Sequence, residues 1–103
     1  MGQIQLNFPT NIPVPQCQQR LNRLASWLRR EANITTTWHG NRAYMKGKYL
    51  VVDIQAVVIF APGMVTVAAE EPAPLFRGKA ESFLKEKFAL YFNPNVQLER
   101  LPA

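Results

Sequence analysis

Apolar and polar residues alternate over Ile4-Gln5-Leu6-Asn7-Phe8, the two-residue period of a half-buried strand. Pro9 stops that pattern, and Pro13 and Pro15 stiffen the lead-in to the next one. Pro15 suits a first helical turn, where a missing N–H removes no intrahelical bond. From there Cys17, Leu21, Leu24 and Leu28 recur at spacings of four, three and four. They form one apolar stripe of a helix running to about Ala32, with Ala25 beside it. Asn33 is its C-terminal stop.

The period then changes. Ile34 to Trp38 is β-branched and aromatic and predicts a short strand, His39-Gly40-Asn41 predicts a turn, and Ala43-Tyr44-Met45 predicts a second strand. Gly47 marks a turn or bulge. Tyr49 to Phe60 predicts one long strand whose polar members, Asp53 and Gln55, share a face. Ala61-Pro62-Gly63-Met64 places Pro and Gly at the centre of a type II turn, and Val65 to Ala69 returns as the next strand. Pro72 and Pro74 end the sheet.

A second amphipathic helix is expected from about Leu75 to Phe92. Phe76, Ala80, Phe83, Leu84, Phe88 and Tyr91 share one face of it, and Lys79, Glu81, Lys85 and Glu86 lie mostly on the other. Glu70 and Glu71 fall near its positive N-terminal end, and Asn93-Pro94 terminates it. Val96 to Ala103 reads as an edge strand or a loose tail. The expected fold is α+β: an antiparallel sheet of three to five strands with two amphipathic helices packed on one face. At 103 residues, with no repeat or linker, the chain is read as a single domain spanning 1–103.

Composition narrows the function classes. One cysteine excludes an internal disulfide framework and a cysteine-based zinc site, and one histidine excludes a His-rich metal centre. The five glycines never cluster, so no phosphate-cradling loop or dinucleotide fingerprint is present, and no metal or cofactor follows. A Ser/His/Asp set would have to draw on Ser26 or Ser82, His39 and Asp53, and neither serine has an elbow-type glycine context. Cys17 sits on the apolar helix stripe, where a thiol is a small hydrophobe rather than an exposed nucleophile. No catalytic residue is expected, and the chain is read as non-enzymatic. The N-terminus lacks a signal-peptide core, the most apolar stretch is too short to span a bilayer, and neither end carries a lipidation motif, which predicts a soluble cytoplasmic protein.

The formal charge is +5, and it is lopsided. Residues 1–50 hold seven basic residues against Glu31, whereas residues 51–103 hold five basic against six acidic. A clustered positive field favours polyanions: nucleic acid, anionic headgroups or an acidic protein. On the first helix Arg20, Arg23, Trp27 and Arg30 are spaced three, four and three, a second stripe beside the leucines. At about 100° per residue, Trp27 falls about 90° from the centre of the leucine face, at the border of core and solvent. Either this stripe is a contact surface for a charged or interfacial partner, or Trp27 packs at the core's rim with arginines snorkelling over it. Trp38 and Tyr44 flank the His39-Gly40-Asn41 turn, where they pack across strands or, if exposed, offer a stacking platform for bases.

The layout resembles the polyhydroxyalkanoic acid system, or granule-region, family of small bacterial proteins. The resemblance covers roughly residues 4–92. It rests on the Ile4-to-Pro15 lead, the amphipathic helix ending near Leu28, and Ile34 followed by Trp38-His39-Gly40-Asn41, where the family shows a Trp-x-Gly-polar turn. Gly47 with the long strand after it, the strand at Val65–Val67, and a closing helix with Phe76, Phe83 and Leu84 complete it. The proline-rich lead-in and the apolar Tyr49–Phe60 run depart from the family. The resemblance implies association with polyester storage granules or the proteins that make them, and it brings no catalytic residue set.

On that basis the chain is expected to be a binding or accessory protein that contacts a polyester granule surface or a granule protein through Arg20, Arg23, Trp27 and Arg30. Two rivals come from other classes. Helix, three antiparallel strands and helix on a basic domain is also the layout of double-stranded RNA-binding domains, although Glu70, Glu71 and Glu81 surround the cations Arg77 and Lys79 at the last helix. A protein-interaction module docking by the same helix face or by a strand edge is the other. Sheet edges permit a dimer, and no sequence feature selects one.

Overall fold

A computed structural model of the chain describes residues 3–49, 52–70 and 76–103. Strand β1 (Gln3–Pro9) leads into helix α1 (Val14–Ala32), followed by β2 (Ile34–His39), β3 (Arg42–Tyr49), β4 (Val52–Ala61), β5 (Met64–Glu70) and helix α2 (Arg77–Tyr91). Among the described residues the strands form one antiparallel sheet in the order β1-β5-β4-β3-β2. Strands β2 to β5 meander across the sheet, and β1 pairs with β5 at the opposite edge from β2. Helix α1 therefore carries the chain from one edge to the other. The fold is α+β, with the sheet at the upper end of the expected strand number.

Directly paired residues of an antiparallel sheet share a face. Ile4 faces Ala69, Val67 faces Val58, and Val58 faces Ala43, which in turn faces Trp38. These inward positions, with Phe60 and Val65, form the floor of the core beneath the two helices. The α1 stripe Cys17, Leu21, Leu24 and Leu28 is buried against that floor. Each large side chain so buried contributes about 2 kcal/mol, so packing rather than helix propensity holds α1 in place. Pro15 lies in its first turn, and Asn33 closes it in the left-handed conformation at φ 56°, its N–H returning to Arg29 and Leu28 carbonyls.

Four local expectations are corrected. Gly47 is not a turn but an interior residue of β3, opposite Ile34 and Ile54. A Cβ there would lie 2.7 Å from the Asn33 carbonyl oxygen, so glycine is required where the α1–β2 corner presses on the strand. The Tyr49–Phe60 run is two strands, since Tyr49 ends β3 and pairs with Val52 of β4; Leu50 and Val51 lie outside the described residues. Trp38 and Tyr44 occupy opposite faces, because Trp38 is in register with Ala43 and Tyr44 with Thr37. Val96 to Ala103 is neither strand nor loose tail: it holds a 3-10 turn over Leu98–Arg100 and buries Leu101.

The two predicted hairpins are present. Gly40 and Gly63 both take positive φ, 61° and 80°, and Asn41 Nδ2 donates to the Phe60 carbonyl at 2.9 Å, tying the β2–β3 turn to β4. Helix α2 is described from Arg77 and ends as expected before Asn93-Pro94. The expected roles of Glu71, Pro72, Pro74 and Leu75 fall outside the described residues.

Candidate functional site

Helix α1 presents two different surfaces to the rest of the molecule. On one side its arginines face the segment after α2. Arg20 Nη1 donates to the carbonyls of Tyr91 (3.1 Å) and Asn93 (3.0 Å), and Nη2 donates to Val96 (2.7 Å). Arg23 Nε donates to the Leu101 carbonyl at 3.0 Å, and Arg30 Nη1 donates to the carbonyl of Ala103. Tyr91 completes the clamp by donating its hydroxyl to the Pro102 carbonyl.

Arg20 is only 6 % exposed, and no carboxylate lies within ion-pair distance of it among the described residues. Its charge is instead met by carbonyl oxygens at and just beyond the C-terminus of α2, where the helix dipole is negative. The expectation of one exposed stripe is therefore corrected at Arg20, which is buried and fully occupied within the chain except for an unpartnered Nε. Arg23 is half-buried in the same clamp. Arg30 is exposed, and its Nε also pairs with Glu31 at 3.1 Å. Periodicity on α1 could not reveal this, because the acceptors are backbone carbonyls of a segment with no period of its own.

Trp27 turns the other way. It lines an open groove of about 550 Å³ between α1, α2 and the inner sheet face. Met45, Ile54 and Ala56 form part of its floor, and Leu28 joins Trp27 on one wall against Ala80, Phe83 and Leu84 on the other. The groove exists because small residues stand where the fold needs bulk: Ala32 on α1, Ala56 on β4, Ala69 on β5 and Ala80 on α2 all border it. Helix α2 is pinned at its C-terminal end by buried Phe88 and Tyr91, and earlier in the helix Phe83 remains 36 % exposed. Those four inward alanines are the sequence signal for the groove.

Its mouth is polar and of mixed charge, with Lys79 and Lys87 from α2 and Glu31 from α1; Asp53 and Glu70 border it at the sheet, on strand positions that alternate to the outer face. Lys87 Nζ sits 4.1 Å from the Trp27 ring centroid and 5.9 Å from that of Phe83, a cation–π bridge joining the helices across the opening. The volume lies within the ordinary range of small-molecule sites, about 300–1,000 Å³. An apolar trough with a few charged groups at its lip can hold an aliphatic chain and orient one polar end of it.

The other candidate groups do not converge. Ser26 is exposed on α1 above the inner sheet face, whereas His39 projects from the outer face against Tyr44, with ring centroids 5.5 Å apart. Trp38 stacks on Phe60 inside, at 5.7 Å. Cys17 is buried and donates to the Ile12 carbonyl at 3.4 Å. Burial pushes its thiol above the ordinary range, with Arg20 pulling partly back. Burial likewise raises the Tyr91 phenol, against the opposing charges of Arg23 and Arg30. Among the described residues no cluster of three His, Cys, Asp or Glu is placed to hold a metal ion, and no helix is long and apolar enough to cross a membrane. Compared with models of protein families, with curated proteins and with solved structures, the chain matches none.

Proposed function

We propose that the chain is a non-enzymatic, cytoplasmic accessory protein of the polyhydroxyalkanoate storage apparatus that takes apolar ester chains of the granule surface, or acyl groups on a granule protein, into the α1–α2–sheet groove. The observation that carries this reading is the groove itself, an apolar trough of about 550 Å³ roofed at its mouth by Trp27 and Lys87. A neutral polyester suits it on both counts. Its aliphatic parts would leave water for the trough, each methylene contributing about 0.8 kcal/mol. Its ester carbonyls would accept from the Lys79 and Lys87 ammoniums without bringing a charge to a rim that already carries both signs. Trp27 is then the one member of the α1 stripe that touches ligand, and the arginines support it by fixing the C-terminal segment.

Co-sedimentation with native polyhydroxyalkanoate granules at low and high salt tests this. Pelleting that survives high salt and weakens in Ala80→Trp, which fills the groove from a half-buried position, is the expected result. Absence of pelleting, pelleting abolished by salt, or equal pelleting by Ala80→Trp would overturn it.

A further inference from the structure

Once Arg20, Arg23 and Arg30 are assigned to the C-terminal clamp, most of the remaining positive charge of the first half lies on one strand. Arg42, Tyr44, Lys46 and Lys48 are alternate residues of β3, so they project together from the outer face of the sheet, the face neither helix covers. All four are exposed, Tyr44 at 41 %, and no described residue of that face is buried. Among the described residues none of the three cations has a carboxylate within ion-pair distance. The acid nearest in register is Asp53, opposite Lys48 at the far end of the strand. Tyr44 stands between Thr37 and Val57 in register and is met edge-on by His39.

We infer that this outer face, centred on Tyr44, binds single-stranded nucleic acid. The Tyr44 ring supplies a stacking surface for one base, His39 braces it, and Arg42 and Lys46 on either side take backbone phosphates. Same-face residues on a strand are about 6.6 Å apart, which sets Arg42 and Lys46 about 13 Å apart. A stacked strand covers that span in about four nucleotides, and an extended one in fewer. Exposed aromatics interleaved with cations on an open sheet are the chemistry that single strands use, since any base offers a π-face.

The other occupants fit less well. A duplex keeps its bases stacked on one another and offers none to Tyr44. A second copy docking by the same patch brings like-charged strands together. Thr35, Thr37 and Gln55 flank the patch, and its aliphatic neighbours Val57 and Ile59 are half-buried in the sheet, so little apolar bulk projects to insert into a bilayer. This site is separate from the groove, on the opposite side of the sheet, and stands or falls independently of it.

Fluorescence anisotropy with a labelled homopyrimidine oligonucleotide of about ten nucleotides tests the proposal. Binding at low salt is expected, with log K falling against log salt at a slope of about −2 for two to three phosphates neutralised. Tyr44→Ala should weaken it about tenfold, Tyr44→Trp should retain it, and the double variant Arg42→Glu, Lys46→Glu should abolish it. Both Tyr44 variants change an exposed side chain, so thermal unfolding that matches the parent confirms that each is folded. No binding by the parent protein, undiminished binding by Tyr44→Ala, or equal competition by a duplex of the same sequence would overturn the assignment.

Discussion

The two sides of α1 each behave in the structure opposite to what their sequence pattern suggests. The arginine side has the pattern of a docking surface, yet Arg20 and Arg23 spend their donors on the chain's own carbonyls at Tyr91, Asn93, Val96 and Leu101. The leucine side has the pattern of plain core, yet beyond Leu24 and Leu28 it opens onto a groove. Charge attracts notice because it is costly to bury, but buried charge is equally a tie between distant segments. Missing volume escapes notice because alanine is unremarked at any single position, and only the fold shows that four of them face one space.

Breaking the arginine side should have the largest effect. Arg20→Met removes three hydrogen bonds from a charged donor and leaves their acceptors partly buried, so a loss of about 3 kcal/mol is expected in urea unfolding. Arg23→Ala removes the bonds to the Leu101 and Glu99 carbonyls (3.0 and 3.4 Å) from a more exposed position and should cost about 1 kcal/mol in the same assay. Alkaline pH probes the same neighbourhood. Cys17 and Tyr91 both have raised pKa values in the fold, chiefly through burial. The unfolded chain therefore ionises them first, and stability is full below the ordinary thiol range. It should decline as pH rises past about 8.5 and further past about 10, and Cys17→Ala should flatten the first part of that decline. The groove side should respond least in stability. Ala80→Trp is expected to shift unfolding by no more than about 0.5 kcal/mol while blocking the trough, which separates a binding surface from a structural one.

Where local rules decide, the sequence was legible. The four-three-four spacing of Cys17, Leu21, Leu24 and Leu28, with Asn33 after it, is satisfied within one helix. Pro62-Gly63 makes its hairpin because positive φ at Gly63 is a local requirement. Where the deciding partner is remote, it was not. Nothing in the sequence between Tyr49 and Val52 breaks the β-prone pattern, and the end of β3 and start of β4 show only in the pairing of Tyr49 with Val52. Gly47 reads as punctuation until the Asn33 carbonyl is brought against it. Arg20 reads as surface until the tail folds back. Of the candidate stripe, Trp27 alone was placed correctly by angle, at the border of core and solvent, and the groove it borders depends on α2 and the sheet together.

The most direct test is an amide chemical-shift titration with short, water-soluble 3-hydroxyalkanoate oligomers. A groove site predicts shifts confined to Trp27, Ile54, Ala80, Phe83 and their neighbours, with the amides of the clamp around Arg20 and Val96 unmoved. Shifts centred on the exposed Arg29 and Arg30 surface, or none at saturating oligomer, would contradict it.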